Sequence, residues 1–100
     1  MMRFEHTAYN VAEPDKAAEW YAKHFEMDIV RASKEGMRPH FVADKERRFC
    51  WEFYCRGADP IVHQNSVSVW SQHVAFNVSD MAAERERLIA AGGRADGDVT

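Results

Sequence analysis

Residues 6–11 read HTAYNV and residues 73–78 read HVAFNV. Four of the six positions are identical, and Tyr9 exchanges for the closely related Phe76. The repetition extends beyond these stretches: AAE stands at residues 17–19 and again at 82–84. The second copy is slightly shorter at the start of the helix, where a change of length costs little. A chain that repeats itself in this way is built from one module used twice, which removes most other architectures from consideration.

The first copy shows what the module is. Residues 3–11 alternate and predict a strand, with Thr7, Tyr9 and Val11 on one face and His6, Ala8 and Asn10 on the other. Pro14 suits the first position of a helix, where its missing N–H loses nothing. The run KAAEWYAKHF then continues at helical spacing. Three strands are expected after it, over residues 28–32, 39–43 and 48–54, the last two joined by the charged turn DKERR. The module is therefore β-α-β-β-β. Residues 1–58 form the first module, 59–66 a linker around Pro60, and 67–100 the start of the second. In that second part, residues 67–78 are expected to be a strand. A helix over residues 81–91 should be capped by Ser79 or Asp80 and stopped by Gly92 and Gly93.

Composition limits the partners. The chain is 46% hydrophobic and 12% aromatic, enough for a core in 100 residues, and its net charge of −3 argues against nucleic-acid binding. There is no signal-peptide pattern and no apolar run long enough to span a membrane. Cys50 and Cys55 do not form a CxxC pair and read as reduced, buried thiols, which fits a cytoplasmic protein.

The histidines carry the chemistry. His6 and His73 occupy matching positions on the face away from each module's helix. On the fourth strand Trp51 belongs with the helix-packed side, so Glu52 faces the same way as His6. Two imidazoles and a carboxylate suit a divalent transition metal: Zn, Ni, Co, Mn or Fe. The plainer alternative makes His6 and His73 hydrogen-bonded strand residues and pairs Glu52 with an arginine. Duplication of the histidine, together with the inward Glu52, favours the metal. His24, His40 and His63 have no partner at ligand spacing and are expected to be ordinary.

His6, Glu52 and His73, set in a repeated β-α-β-β-β pattern, resemble the vicinal oxygen chelate superfamily, which includes glyoxalase I, type I extradiol dioxygenases and the bleomycin resistance proteins. Residues 6–31 look like the opening of a bacterial member, and residues 72–93 like the start of its second half. The resemblance implies an α+β fold of tandem βαβββ modules forming a cupped mixed sheet, with the second module incomplete in this chain. It also implies a homodimer and a small-molecule substrate. The sequence ends at Asp98-Val99-Thr100, where the family's second module would continue with three further strands and a fourth, carboxylate ligand. The family commonly has Gly just after the first helix, whereas Glu26 stands here.

The order His6, Glu52, His73 is most like glyoxalase I. It implies a metal-dependent lyase or isomerase that acts on an α-hydroxycarbonyl compound through an enediolate, with Glu52 as ligand and candidate base. Two alternatives belong to other classes. One is an Fe(II) extradiol dioxygenase, for which His6 is out of place because those enzymes use a single module's site. The other is a non-catalytic binding protein of the bleomycin-resistance kind, with Trp51, Phe53, Tyr54 and Trp70 lining an apolar cavity.

Overall fold

The structure, a computed structural model, describes residues 1–61 and 67–97. Two compact units divide the chain, Met1–Ser68 and Val69–Thr100. Most of the expected linker, including His63, lies outside the described residues, as do residues 98–100.

The first unit runs β1 (Thr7–Asn10), α1 (Pro14–His24), β2 (Met27–Ala32), β3 (His40–Asp44) and β4 (Cys50–Tyr54). Its four strands form one mixed sheet in the order β1-β4-β3-β2. β1 and β4 run parallel, and the other neighbours are antiparallel. The expected β-α-β-β-β order is present, and the α+β class with it. The first strand is shorter than expected, so His6 lies immediately before it.

Alternation explains which face α1 covers. In β4, Trp51 and Phe53 are buried while Cys50, Glu52 and Tyr54 are half-buried. Register sets Tyr9 opposite Phe53 across β1 and β4, and Val42 opposite Trp51 across β3 and β4. Tyr21 of α1 completes this layer, stacking on Phe53 with ring centroids 5.4 Å apart and lying 4.6 Å from Trp51. Burying each of Trp51 and Phe53 is worth about 2–3 kcal/mol. Ala18 is fully buried, and its small side chain lets α1 lie close to the sheet. Burial, followed by the nearby Tyr9, raises the Tyr21 phenol above its ordinary value.

The ends of these elements follow from single residues. Pro14 opens α1 as expected, and the Phe25 N–H returns to the Tyr21 carbonyl at its end. Glu26 then adopts φ 53°, the left-handed conformation at which a glycine was expected. DKERR is the expected hairpin turn. Asp44 Oδ1 accepts from the Arg48 and Phe49 N–H groups, while Lys45 and Arg47 clamp Asp28 at 2.6 and 2.9 Å.

The second unit contains one regular element among the described residues, α2 (Met81–Ala90). Asp80 caps it by accepting from the Ala83 N–H at 3.0 Å. Gly92 at φ 107° closes it, with its N–H on the Ile89 carbonyl and the Gly93 N–H on the Leu88 carbonyl. The strand expected over residues 67–78 is absent: residues 69–71 turn and 72–78 have no regular structure. Among its described residues this unit holds no strand to pair with, and a lone extended segment gains nothing from strand geometry. Among the described residues, no helix is long and apolar enough to cross a membrane.

Candidate metal and ligand site on the open face

The face of the sheet opposite α1 carries His6 and Glu52. Parallel pairing of β1 with β4 puts Ala8 beside Glu52, and antiparallel pairing puts Phe41 on Glu52's other side. Ala8 adds only a methyl group there. His6 therefore reaches across the sheet edge, with Nε2 3.4 Å from Glu52 Oε1. Its ring stands edge-on to Phe41, with centroids 5.3 Å apart and planes at 81°. The other ring nitrogen, Nδ1, lies 2.9 Å from Glu5 Oε1. Beyond Phe41, the Arg31 guanidinium sits 5.8 Å from the ring centroid.

Glu52 also lines an open cleft of about 380 Å³ with Met37, Tyr54, Arg56 and Asp59. One buried side chain shapes its wall. Asn10 donates to the carbonyls of Arg56, Asp59 and Pro60 at 3.0–3.2 Å and accepts from the Arg56 N–H at 2.8 Å. That clasp ties the segment after β4 back onto β1, and an Arg56–Asp59 ion pair of 3.1 Å braces the same turn.

The two cysteines are free and half-buried rather than fully buried. Desolvation, with Glu5 and Glu52 adding to it, pushes the Cys50 thiol above its ordinary value. It stays protonated near neutrality.

The structure thus brings His6 and Glu52 together in the first unit. His73, in the second unit, is exposed, with Nδ1 2.7 Å from the Val69 carbonyl. Among the described residues, no three or more His, Cys, Asp or Glu side chains are grouped to hold a metal. The pair itself suits one: donors each about 2.1 Å from a metal and at a tetrahedral angle are about 3.4 Å apart. That is the spacing of His6 Nε2 and Glu52 Oε1.

Trp51 and Phe53 belong to the core under α1, as their spacing implied, and Trp70 is 91% exposed, so only Tyr54 of the four aromatics named for the binding-protein alternative lines the cleft. Glu52 meets His6, not the arginine of the plainer alternative. His40 is buried, and its Nδ1 donates to the Arg38 carbonyl. The roles of Asn10, Phe41 and Glu5 were missed. The Asn shared by both repeats was the available sign for the first. Phe41 and Glu5 left none, because their importance comes from cross-strand register and from a ring orientation.

The family model described as Glyoxalase/Bleomycin resistance protein/Dioxygenase superfamily matches residues 3–100. No curated protein and no solved structure matches the chain.

Proposed function

The chain belongs to the Glyoxalase/Bleomycin resistance protein/Dioxygenase superfamily, and from that premise we propose that it is a metal-dependent, glyoxalase-like lyase or isomerase acting on a small α-hydroxycarbonyl compound. The observation that carries this reading is the His6–Glu52 pair, 3.4 Å apart on the open face of the sheet. These two side chains would hold the metal (Zn, Ni, Co, Mn or Fe), and the repeat makes His73 the matching donor of the second module. A divalent metal there would supply Lewis-acid polarisation of the substrate's carbonyl and hydroxyl oxygens, which would acidify the adjacent C–H.

The chain's own residues do the rest. Glu52 is the base: its carboxylate takes the proton from one carbon and returns it to the neighbouring one. Phe41 beside it keeps water from that proton. Tyr54 and Arg56, in the same cleft, orient the polar end of the substrate. A homodimer in the cytoplasm is the assembly and location that go with this reading.

The test is metal content and turnover together. Protein purified without chelator should carry near-stoichiometric metal, and His6→Ala should lose it. Glu52→Gln should keep measurable metal while turnover falls by about a hundredfold or more. Full turnover in that variant ends the base assignment. Folded protein that takes up no metal ends the enzyme reading.

The open cleft favours one second reading, a non-catalytic binding protein of the bleomycin-resistance kind. In that case a ligand would bind with equal affinity before and after chelator treatment. Oxygen uptake with a catechol would instead identify an extradiol dioxygenase.

A further inference from the structure

His6 is contacted from three directions: Glu5 at Nδ1, Phe41 at the ring and Glu52 facing Nε2. A neutral imidazole has one proton for two nitrogens, and only the unprotonated nitrogen offers a lone pair. The two carboxylates compete for that proton. Glu5 Oε1 lies 2.9 Å from Nδ1, well within hydrogen-bonding range, whereas Glu52 Oε1 lies 3.4 Å from Nε2, beyond the usual limit. The shorter contact favours the proton on Nδ1. The Nε2 lone pair and the Glu52 carboxylate then face each other, an arrangement of two electron-rich atoms that a cation satisfies.

We propose that Glu5 is a positioning residue for His6: it holds the ring in its Nδ1–H tautomer and so turns Nε2 into the nitrogen offered toward Glu52. The function of this arrangement rests on the metal-binding reading of the site, but its geometry does not. An isolated imidazole favours the opposite tautomer, with the proton on Nε2, so the preference must come from the protein. Carboxylates that orient metal-binding histidines in this way typically contribute tenfold to a hundredfold in affinity. The Glu5 side chain is 87% exposed, so water competes for it and the lower end applies.

Two measurements separate this proposal from the reading beneath it. Long-range ¹H–¹⁵N spectra of the metal-free protein, at mildly alkaline pH, report the His6 tautomer. The wild type should show Nδ1–H, and Glu5→Ala should shift toward Nε2–H. Glu5→Gln should stay with the wild type, because its amide oxygen accepts the same hydrogen bond. Titration with Zn²⁺ alone should then find Glu5→Ala about tenfold weaker than wild type and Glu5→Gln close to it. Glu5 is exposed, so neither variant should alter the fold, which far-UV circular dichroism checks.

An unchanged tautomer in Glu5→Ala overturns the proposal. So does unchanged Zn²⁺ affinity in that variant when His6→Ala has abolished binding. A shifted tautomer in a protein whose wild type takes up none of Zn²⁺, Ni²⁺, Co²⁺, Mn²⁺ or Fe²⁺ supports the role of Glu5 and overturns the metal reading alone.

Discussion

HTAYNV and HVAFNV differ at two positions, yet residues 7–10 of the first copy are a strand and the second copy contains none. In the first copy β4 supplies a parallel partner, Tyr9 packs edge-on against Trp51 at 5.1 Å, and Asn10 is buried at 6% exposure. In the second, Phe76 and Val78 are 39% and 41% exposed, and the described residues of that unit include no strand. The backbone preferences of the two stretches are nearly the same. What differs is a ladder partner and a covered face, and those decide whether a short β-prone stretch becomes a strand.

The sharpest way to test this comparison is to remove the same side chain from both copies. Asn10→Ala strands the Arg56 N–H and the carbonyls it now serves, and should cost the first unit about 2–3 kcal/mol in urea unfolding. Asn77→Ala, at an exposed position, should change stability by less than about 0.5 kcal/mol. Equal effects would mean that the second copy is packed as the first is, and would break the contrast.

The two helix ends offer a smaller test. Both α1 and α2 are followed by a residue at positive φ, but α1 uses Glu26 and α2 uses Gly92. Glu26→Gly should therefore stabilise by about 0.5–1 kcal/mol, and Gly92→Ala should destabilise by a similar amount. A loss of stability in Glu26→Gly would show that the Glu side chain contributes something its backbone conformation does not reveal.

The smallest effect belongs to the charged turn. Hydrogen bonds from Lys45 and then Arg47 hold the Asp28 carboxyl below its ordinary value of 3.8. A lowered value stabilises the folded state above the ordinary carboxylate range, and that contribution fades as pH falls through the lowered value. Wild type and Asp28→Asn should therefore differ slightly in melting temperature at neutral pH and converge in acid. A difference that grew in acid would contradict the ion-paired turn.

Much of the first unit was legible in the sequence. The alternation of RFCWEFYC placed Trp51 and Phe53 under the helix and Glu52 on the other face. Pro14, Asp80 and the Gly92-Gly93 pair marked helix ends through local backbone chemistry, which a sequence states directly. Half of the site was legible for the same reason, since His6 and Glu52 could be assigned a face from period alone. Their 3.4 Å approach was not, because it depends on β1 lying beside β4 rather than beside β2. The cleft was missed because it is walled by the segment after β4, which is held in place by hydrogen bonds from a residue far away in sequence.

By itself the sequence determined the module, its order of elements, and the division of each strand of the first module into a helix-facing and an open side. These come from periodicity and side-chain type, which act over a few residues. Only the tertiary structure decided that the first HxA[YF]NV is a strand and the second is not, that Asn10 clasps the segment after β4, and that Glu5 and Glu52 contact opposite nitrogens of His6. Each of those depends on a partner brought from elsewhere in the chain or on the direction in which a side chain comes to rest. Local preference is too weak to specify either.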